Sequence, residues 1–329
     1  MTDGTIAYNN CNDSFFANPS PLTIQHMSLD HKIKYTKGKI REFYDAMDGK
    51  TSVSFSGGKD STVLLHLVRS MFPDTPAVFF DTGMEFPEIV EHVKLHDNVT
   101  IIRPTYKENG IEKRLTFKRV IERWGYPVIG KYVSEKIYEA RNGNKQALER
   151  LDMTHDESIF GLAKFKWLMD ATFKISGRCC YHLKKAPSHK YQRQTGSGLY
   201  IGTRNDESLL RVQQHKLYGE NRTDRKYPIS NPISIWTRND IEAYITRHNL
   251  PLSTVYTEMG YERTGCMWCM FGAHLDNTPN RFQIMKHTHP KQYAYCMKPC
   301  EKGGLGLAEV LKFIGIDSGY YQQSLEGWE

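Results

Sequence analysis

No apolar run in the 329-residue chain approaches the roughly 18 residues that a membrane-spanning helix needs. The opening stretch, MTDGTIAYNNCNDSFF, has neither the basic nor the apolar segment of a secretory leader. A cytoplasmic protein without a membrane partner is therefore expected. No internal repeat or low-complexity tract organises the sequence, which excludes solenoid arrays. Charge of one sign is in small excess. Forty-four Lys and Arg against 37 Asp and Glu leave +7, which suits phosphorylated or nucleic-acid partners and equally suits a mildly basic surface. Cysteine is sparse, seven in all, and the chain is too long to be a disulfide-stapled mini-protein. An odd number, with one adjacent pair and one C-x-x-C, reads as metal ligation or redox chemistry. What is present, 39% hydrophobic residues and 12% aromatics, suffices for a large core in one α/β domain with an appendage, or in two domains.

Local pattern predicts alternating strands and helices. Leu29, Ile33, Ile40, Phe43, Tyr44 and Met47 recur at loosely helical spacing from Ser28 to about Asp48. TSVSFS then reads as a strand, SGG as a break, and STVLLHLVRSMF as a helix with Val63, Leu64, Leu67, Val68 and Met71 on one face. AVFF and VTII are further strands, separated by a helix with Pro87 in its first turn. GLYIGTR is another strand, and Thr237 with Asp240 fits a capping box for a helix that stops before Pro251. Such alternation predicts a doubly wound, mostly parallel sheet with ligands at the carboxyl ends of its strands. The division expected is an N-terminal segment and helix over 1–50, a nucleotide-binding α/β domain over 51–250, and a cysteine-containing region over 251–329. Residues from about 107 to 174 are rich in charge and show no chemistry.

Neither G-x-x-x-x-G-K-S/T nor G-x-G-x-x-G occurs at the first strand–helix junction, which disfavours kinase-type phosphate loops and dinucleotide fingerprints. The junction is instead Ser56-Gly57-Gly58-Lys59-Asp60-Ser61. Adjacent glycines let backbone N–H groups approach phosphate oxygens, Ser56 and Ser61 add hydroxyls, and Lys59 adds a cation. A tight turn with Asp60 and Ser61 as helix caps is the plainer alternative. Asp81, Thr82 and Gly83 end a strand on the face where a nucleotide belongs, although Asp81 is equally suited to cap the following helix. Arg204, after Gly202 and the strand before it, is placed for a phosphate, with a surface salt bridge as the alternative.

Four motifs in collinear order, SFSGGKDS, DTGMEFPE, YIGTRNDES and NPISIWTRNDIEAYITRHNLPLSTVYTEMGYERTGCMWC, make the chain resemble the PAPS reductase family. That family lies within the PP-loop ATP pyrophosphatases, which have the adenine nucleotide alpha hydrolase-like fold. The resemblance runs from about Thr51 to Cys269. It implies an adenine nucleotide at the carboxyl edge of the sheet and sulfur chemistry: sulfonucleotide reduction, ATP sulfurylation, or adenylation followed by sulfur insertion.

Cys179-Cys180 and Cys266-x-x-Cys269 are similar to the cysteine pattern of assimilatory APS reductases, which implies a 4Fe-4S cluster beside the nucleotide. Four soft thiolates suit zinc as well, and free buried thiols are the third reading. Lys184 and Lys185 resemble the basic residues that follow the double cysteine in cluster-bearing reductases, where they would offset thiolate charge and meet a phosphate or sulfate. Solvated lysines on a helix are the plainer view.

Two features set the chain apart from those reductases. The S-G-G-x-D-S turn is complete, which favours ATP with a pyrophosphate leaving group. The tail DSGYYQQSLEGWE has no cysteine where the reductases carry their nucleophile, leaving Cys296 and Cys300 as substitutes, persulfide carriers or extra metal ligands. The expectation is thus an ATP pyrophosphatase of the sulfurtransferase type, with Lys59 and Asp60 in catalytic roles, Mg2+ as the companion of ATP, an acceptor that the sequence does not name, and a nucleic acid or a sulfur-donor protein as the candidate partners. A thioredoxin-dependent APS or PAPS reductase and a nucleotide-sensing module are the alternatives. Basic-aromatic stretches such as HKYQRQ, residues 189–194, suit a nucleic acid, and a solvated basic surface explains the same residues equally well.

Overall fold

The computed structural model describes residues 27–320; Cys11 and the segment before the first helix lie outside the described residues. In chain order the elements are α1 (Leu29–Ala46), β1 (Thr51–Ser54), α2 (Lys59–Arg69), β2 (Ala77–Phe80), α3 (Pro87–Lys94), β3 (Val99–Ile102), β4 (Thr105–Glu108), β5 (Ile111–Arg114), α4 (Phe117–Trp124), β6 (Val128–Ile129), α5 (Lys131–Arg141) and α6 (Lys145–Asp152). There follow α7 (Ala186–Thr195), β7 (Gly198–Ile201), α8 (Leu209–Tyr218), β8 (Asn221–Arg222), β9 (Ile229–Ser230), α9 (Arg238–His248), α10 (Thr254–Thr257), β10 (Met270–Phe271), α11 (Arg281–Thr288), α12 (Pro290–Met297) and α13 (Leu307–Phe313). The expected strand–helix alternation is present, and the pairings of β1 with β7, β7 with β9, and β2 with β3 are all parallel. The fold is the expected α/β class with mostly parallel strands.

The chain divides into two compact units. One takes the described residues up to Ser54, then Lys59–Thr75 and Ser197–Pro251. In it β1 and β7 run in register from Thr51 opposite Gly198 to Ser54 opposite Ile201, and β8 lies antiparallel to β9. Gly198 is required by packing: a Cβ there would stand 2.6 Å from the Phe43 ring of α1. The buried stripe of α1 is Lys32, Thr36, Ile40 and Phe43, so half of it is polar. Each polar member is satisfied. Lys32 Nζ pairs with Asp240 Oδ2 at 2.7 Å, and Thr36 Oγ1 accepts from Trp236 Nε1 at 2.8 Å. Asp240 also completes the expected capping box of α9 with Thr237.

The other unit takes Phe55–Gly58, Pro76–Gly196 and the described residues from Leu252 onward. Here β2 pairs with β3 from Ala77 opposite Val99 to Phe80 opposite Ile102, and Phe55 donates its N–H to Val78 O at 2.9 Å. β4 and β5 form an antiparallel hairpin, and β6 pairs in parallel with β10, Val128 opposite Met270. That last pairing joins the featureless middle of the sequence to the C-x-x-C region. A large apolar core binds the unit, with Val120, Ile137, Leu168, Phe282 and Leu311 all fully buried. Pro87 opens α3 as expected, and the helix is capped by Phe86 backbone, not by Asp81.

Candidate nucleotide and thiol site

Ser56, Gly57 and Gly58 link β1 to α2. Gly57 has φ +72°, and a Cβ there would fall 2.8 Å from Val93 and 2.9 Å from Ile89 of α3, so only glycine fits. Gly58 has no such backbone requirement, but a Cβ would sit 3.1 Å from Thr264 Oγ1 and 3.3 Å from Tyr256 OH. The turn is thus kept bare by sterics on its own side.

At the start of α2, Lys59 Nζ lies 3.1 Å from Glu242 Oε1, which Arg238 also engages at 2.8 Å. Ser61 is buried, and Gly202 lets the end of β7 close on it: a Cβ at Gly202 would come within 3.2 Å of the Ser61 backbone. Arg204 is 8% exposed, with Nε 3.1 Å from Asp60 Oδ1 and 3.3 Å from Asp206 Oδ1. These are charge contacts without hydrogen-bond alignment. Arg204 Nε and Nη1, and Asp60 Oδ1, are left buried without a hydrogen-bond partner. Burial pushes the Asp60 carboxyl above the usual carboxylate range, while Arg204 opposes the shift. Arg204 is thus a buried guanidinium with unused donors beside the first turn of α2.

Asp81, 6% exposed, accepts the Gly83 N–H at 2.9 Å and pairs with Arg103 at 2.8 Å and Arg114 at 3.3 Å. Neither arginine is visible as a site residue in the sequence: Arg103 follows β3, and Arg114 lies in the middle region to which no chemistry was assigned. Glu85 is a further omission. Its carboxylate accepts from Thr82 N at 2.9 Å and Thr82 Oγ1 at 2.8 Å, and Lys184 Nζ stands 3.9 Å away. The DTGMEFPE loop is therefore held by its own acids rather than by the helix it precedes.

Cys179 and Cys180 precede a π-helical turn, Tyr181–Lys185, while Cys269 N–H bonds Cys266 O at 3.0 Å in a tight turn. Met267 N–H donates to Met84 O at 2.7 Å, tying that turn to the DTGMEFPE loop. The four thiols feel one another. Cys179 is pushed up because it keeps its proton against Cys180, and Cys180 is lowered by that hydrogen bond and by Lys131 and Lys184. Burial pushes Cys269 up to about 12, with Cys266 adding to it, and Lys184 hydrogen-bonds Cys266 and is itself raised by it. Among the described residues no group of three or more His, Cys, Asp or Glu stands in ready-made metal-binding geometry. The donor chemistry nevertheless fits a thiolate-ligated centre: four soft sulfurs within electrostatic reach, with two lysines to offset their charge. Lys185 is exposed.

The remaining candidates separate clearly. Cys296 is fully buried, donates to Tyr293 O at 3.3 Å, and has its thiol pushed up to about 12 by burial. Cys300 is half-buried, 3.3 Å from Tyr126 OH. Arg211, a second arginine shortly after the YIGTRNDES motif, pairs with Glu207 at 3.0 Å. Within the 189–194 stretch, Tyr191 is buried and packs edge-on to Phe80, and Lys190 pairs with Glu112 at 3.1 Å.

Residues 50–124 and 132–271 match the phosphoadenosine phosphosulfate reductase domain. The chain belongs to that family. An uncharacterized protein of Methanocaldococcus jannaschii is 27% identical over 245 residues, 73% of this chain and 40% of that protein's own length, so the chain spans well under half of that relative. The phosphoadenosine 5'-phosphosulfate reductase of Alkalilimnicola ehrlichii is 29% identical over 223 residues, 66% of this chain and 69% of that one. The phosphate complex of the phosphoadenylyl-sulfate reductase of Candida auris overlays with a TM-score of 0.39 at 15% identity, covering 72% of this chain and 93% of that one. No helix among the described residues is long and apolar enough to cross a membrane.

Proposed function

We propose that this member of the family cleaves ATP between its α- and β-phosphates, activating an acceptor as an adenylate for sulfur transfer. The observation that carries the reading is Arg204: buried, cationic, with Nε and Nη1 lacking hydrogen-bond partners, at the end of the strand beside the first turn of α2. The roles assigned are pyrophosphate binding by Ser56, Gly57, Gly58, Lys59 and Ser61, with Arg204 neutralising charge on the departing group. Asp60 positions the metal or the phosphate. Asp81, Thr82, Gly83 and Gly202 serve the nucleoside side, and Lys184 and Lys185 meet an anionic group near the thiols.

In the step itself an acceptor oxygen bonds to the α-phosphorus, the α–β anhydride bond breaks, and pyrophosphate leaves with the electron pair. Mg2+ is the companion that the triphosphate charge calls for. Lys59 donates hydrogen bonds to phosphate oxygens, and its pairing with Glu242 must loosen when they arrive. Cys179, Cys180, Cys266 and Cys269 would hold a 4Fe-4S cluster, or zinc; when bound, a cluster supplies redox-active or sulfur-binding chemistry. Lys184, hydrogen-bonded to Cys266, compensates thiolate charge in either case.

The reductase name carried by the Alkalilimnicola relative favours a second reading, in which APS or PAPS is reduced to sulfite. Exchange of labelled pyrophosphate into ATP, run beside sulfite release from PAPS and APS, separates the readings. Exchange without sulfite supports the proposal, sulfite without exchange replaces it with the reductase, and neither leaves nucleotide sensing.

A further inference from the structure

Helix α8 begins directly after the Gly202–Ser208 stretch and buries none of its ten residues. Packing does not explain it. At its end Tyr218 is 50% exposed, and its ring is flanked by two guanidiniums, Arg222 with its carbon 5.1 Å and Arg225 with its carbon 4.5 Å from the ring centroid. Arg222 is 8% exposed, and its Nε is buried without a hydrogen-bond partner; its remaining polar contact is a long one, Nη2 to Gln214 O at 3.5 Å. Burial and the neighbouring Arg225 both push the Arg222 guanidinium below its ordinary value, although an arginine stays protonated regardless.

The acids of this segment that pair at all are engaged elsewhere. Glu207 is taken by Arg211, and Glu220 by Tyr35 at 2.8 Å and His215 at 3.7 Å. Two guanidiniums therefore clasp one exposed aromatic ring, no ion pair to a carboxylate joins either among the described residues, and with Lys216, Asp224 and Lys226 at neighbouring positions in the chain the segment keeps an excess of basic charge. Each guanidinium is attracted to the ring face, but Arg225 disfavours the charge on Arg222. A chain of phosphates would relieve the repulsion, and the ring offers a face for a base.

We propose that Tyr218, Arg222 and Arg225, with Lys216 and Lys226, form a docking platform for single-stranded nucleic acid, one base stacking at Tyr218 and backbone phosphates meeting the arginines. The proposal deepens the reading of the preceding section by naming the class of acceptor. A single strand is favoured over a duplex because stacking at Tyr218 requires an unpaired base. The alternative occupant is a protein drawn to the exposed Leu209 and Leu217 of the same helix, 82% and 72% accessible.

The test is fluorescence anisotropy of the full chain with labelled, unstructured single strands of DNA and of RNA, titrated at several salt concentrations. Binding should weaken steeply with salt. The exposed double variant Arg225→Glu/Lys226→Glu should lower affinity at least tenfold and reduce the log–log salt slope by about 1 to 2. Tyr218→Ala should lose about tenfold with its salt slope unchanged, because stacking is not electrostatic. Preference between the DNA and RNA arms then identifies the strand. Salt-independent or absent binding by the wild type, or wild-type affinity in the double variant, overturns the platform. So does concentration-dependent self-association that Leu217→Ala abolishes while strand binding is unaffected by the charge reversals. ATP binding measured on the same variants keeps the two claims apart: failed strand binding with intact ATP/pyrophosphate exchange sinks only the platform, and strand binding without exchange sinks only the ATP reading.

Discussion

Replacing Arg204 with methionine keeps the volume of the side chain but removes the charge, and it should separate affinity from stability. Its guanidinium has two buried nitrogens without hydrogen bonds, so a bound phosphate gains charge-assisted bonds that cost the protein no existing ones. At about 1.5–3 kcal/mol for a bond to a charged group, the variant should bind ATP about 10- to 150-fold more weakly by calorimetry. The same change strips Asp60 of its nearest cation at 3.1 Å. Breaking a fully buried pair costs about 3–5 kcal/mol, and the partial exposure of Asp60 brings the expected loss nearer 1–3 kcal/mol, a melting shift of a few degrees. That loss should depend on pH. Burial already raises the folded carboxyl above its unfolded value of about 3.9, so the native state binds the extra proton and stability from this group falls as pH rises through the interval between the two values. Without Arg204 the interval widens upward, and the deficit of the variant should shrink on acidification. Adding Asp60→Asn to Arg204→Met should recover most of the melting temperature and little of the affinity. Wild-type ATP affinity in the single variant, or recovery of affinity in the double one, would refute an anion-receiving Arg204.

Gly58→Val should lower nucleotide affinity more than tenfold with the melting temperature nearly unchanged, because Gly58 has an ordinary backbone conformation and its Cβ would crowd side-chain hydroxyls, those of Thr264, Tyr256 and Ser56, rather than backbone. Calorimetry and thermal melts on one preparation check both halves. Asp81→Ala releases Arg103, Arg114 and the Gly83 N–H, and should cost about 1–2 kcal/mol in stability but more than tenfold in nucleotide binding. A large melting loss with intact binding would make Asp81 structural. Protein purified without oxygen should be brown, with iron and sulfide in near-equal amounts. Cys180→Ser or Cys266→Ser should bleach it while Cys296→Ser, in the core and bonded to Tyr293 O, leaves the colour. A colourless zinc-containing preparation defeats the cluster, and bleaching that follows Cys296 reassigns its ligands.

What the sequence discloses is what short range determines. The β1–turn–α2 block, the Pro87 helix start and the Thr237–Asp240 capping box each depend on residues within a few positions of one another, and each is found where the pattern placed it. Residues whose roles depend on distant partners are silent. Lys32 reads as a surface lysine in an amphipathic helix until Asp240, far along the chain, turns out to receive it in the interior. Arg114 sits in a charged, featureless stretch and acquires meaning only when the hairpin folds it back onto Asp81. The basic-aromatic stretch 189–194 shows the complementary effect. Composition counts Tyr191 as an available ring, whereas the fold spends it on Phe80 and leaves Tyr218, in a segment with a weaker local signature, facing solvent between two arginines. Charge and aromatic content count the residues suited to a partner, but burial decides which of them remain accessible, and burial is the quantity that a single sequence encodes least directly.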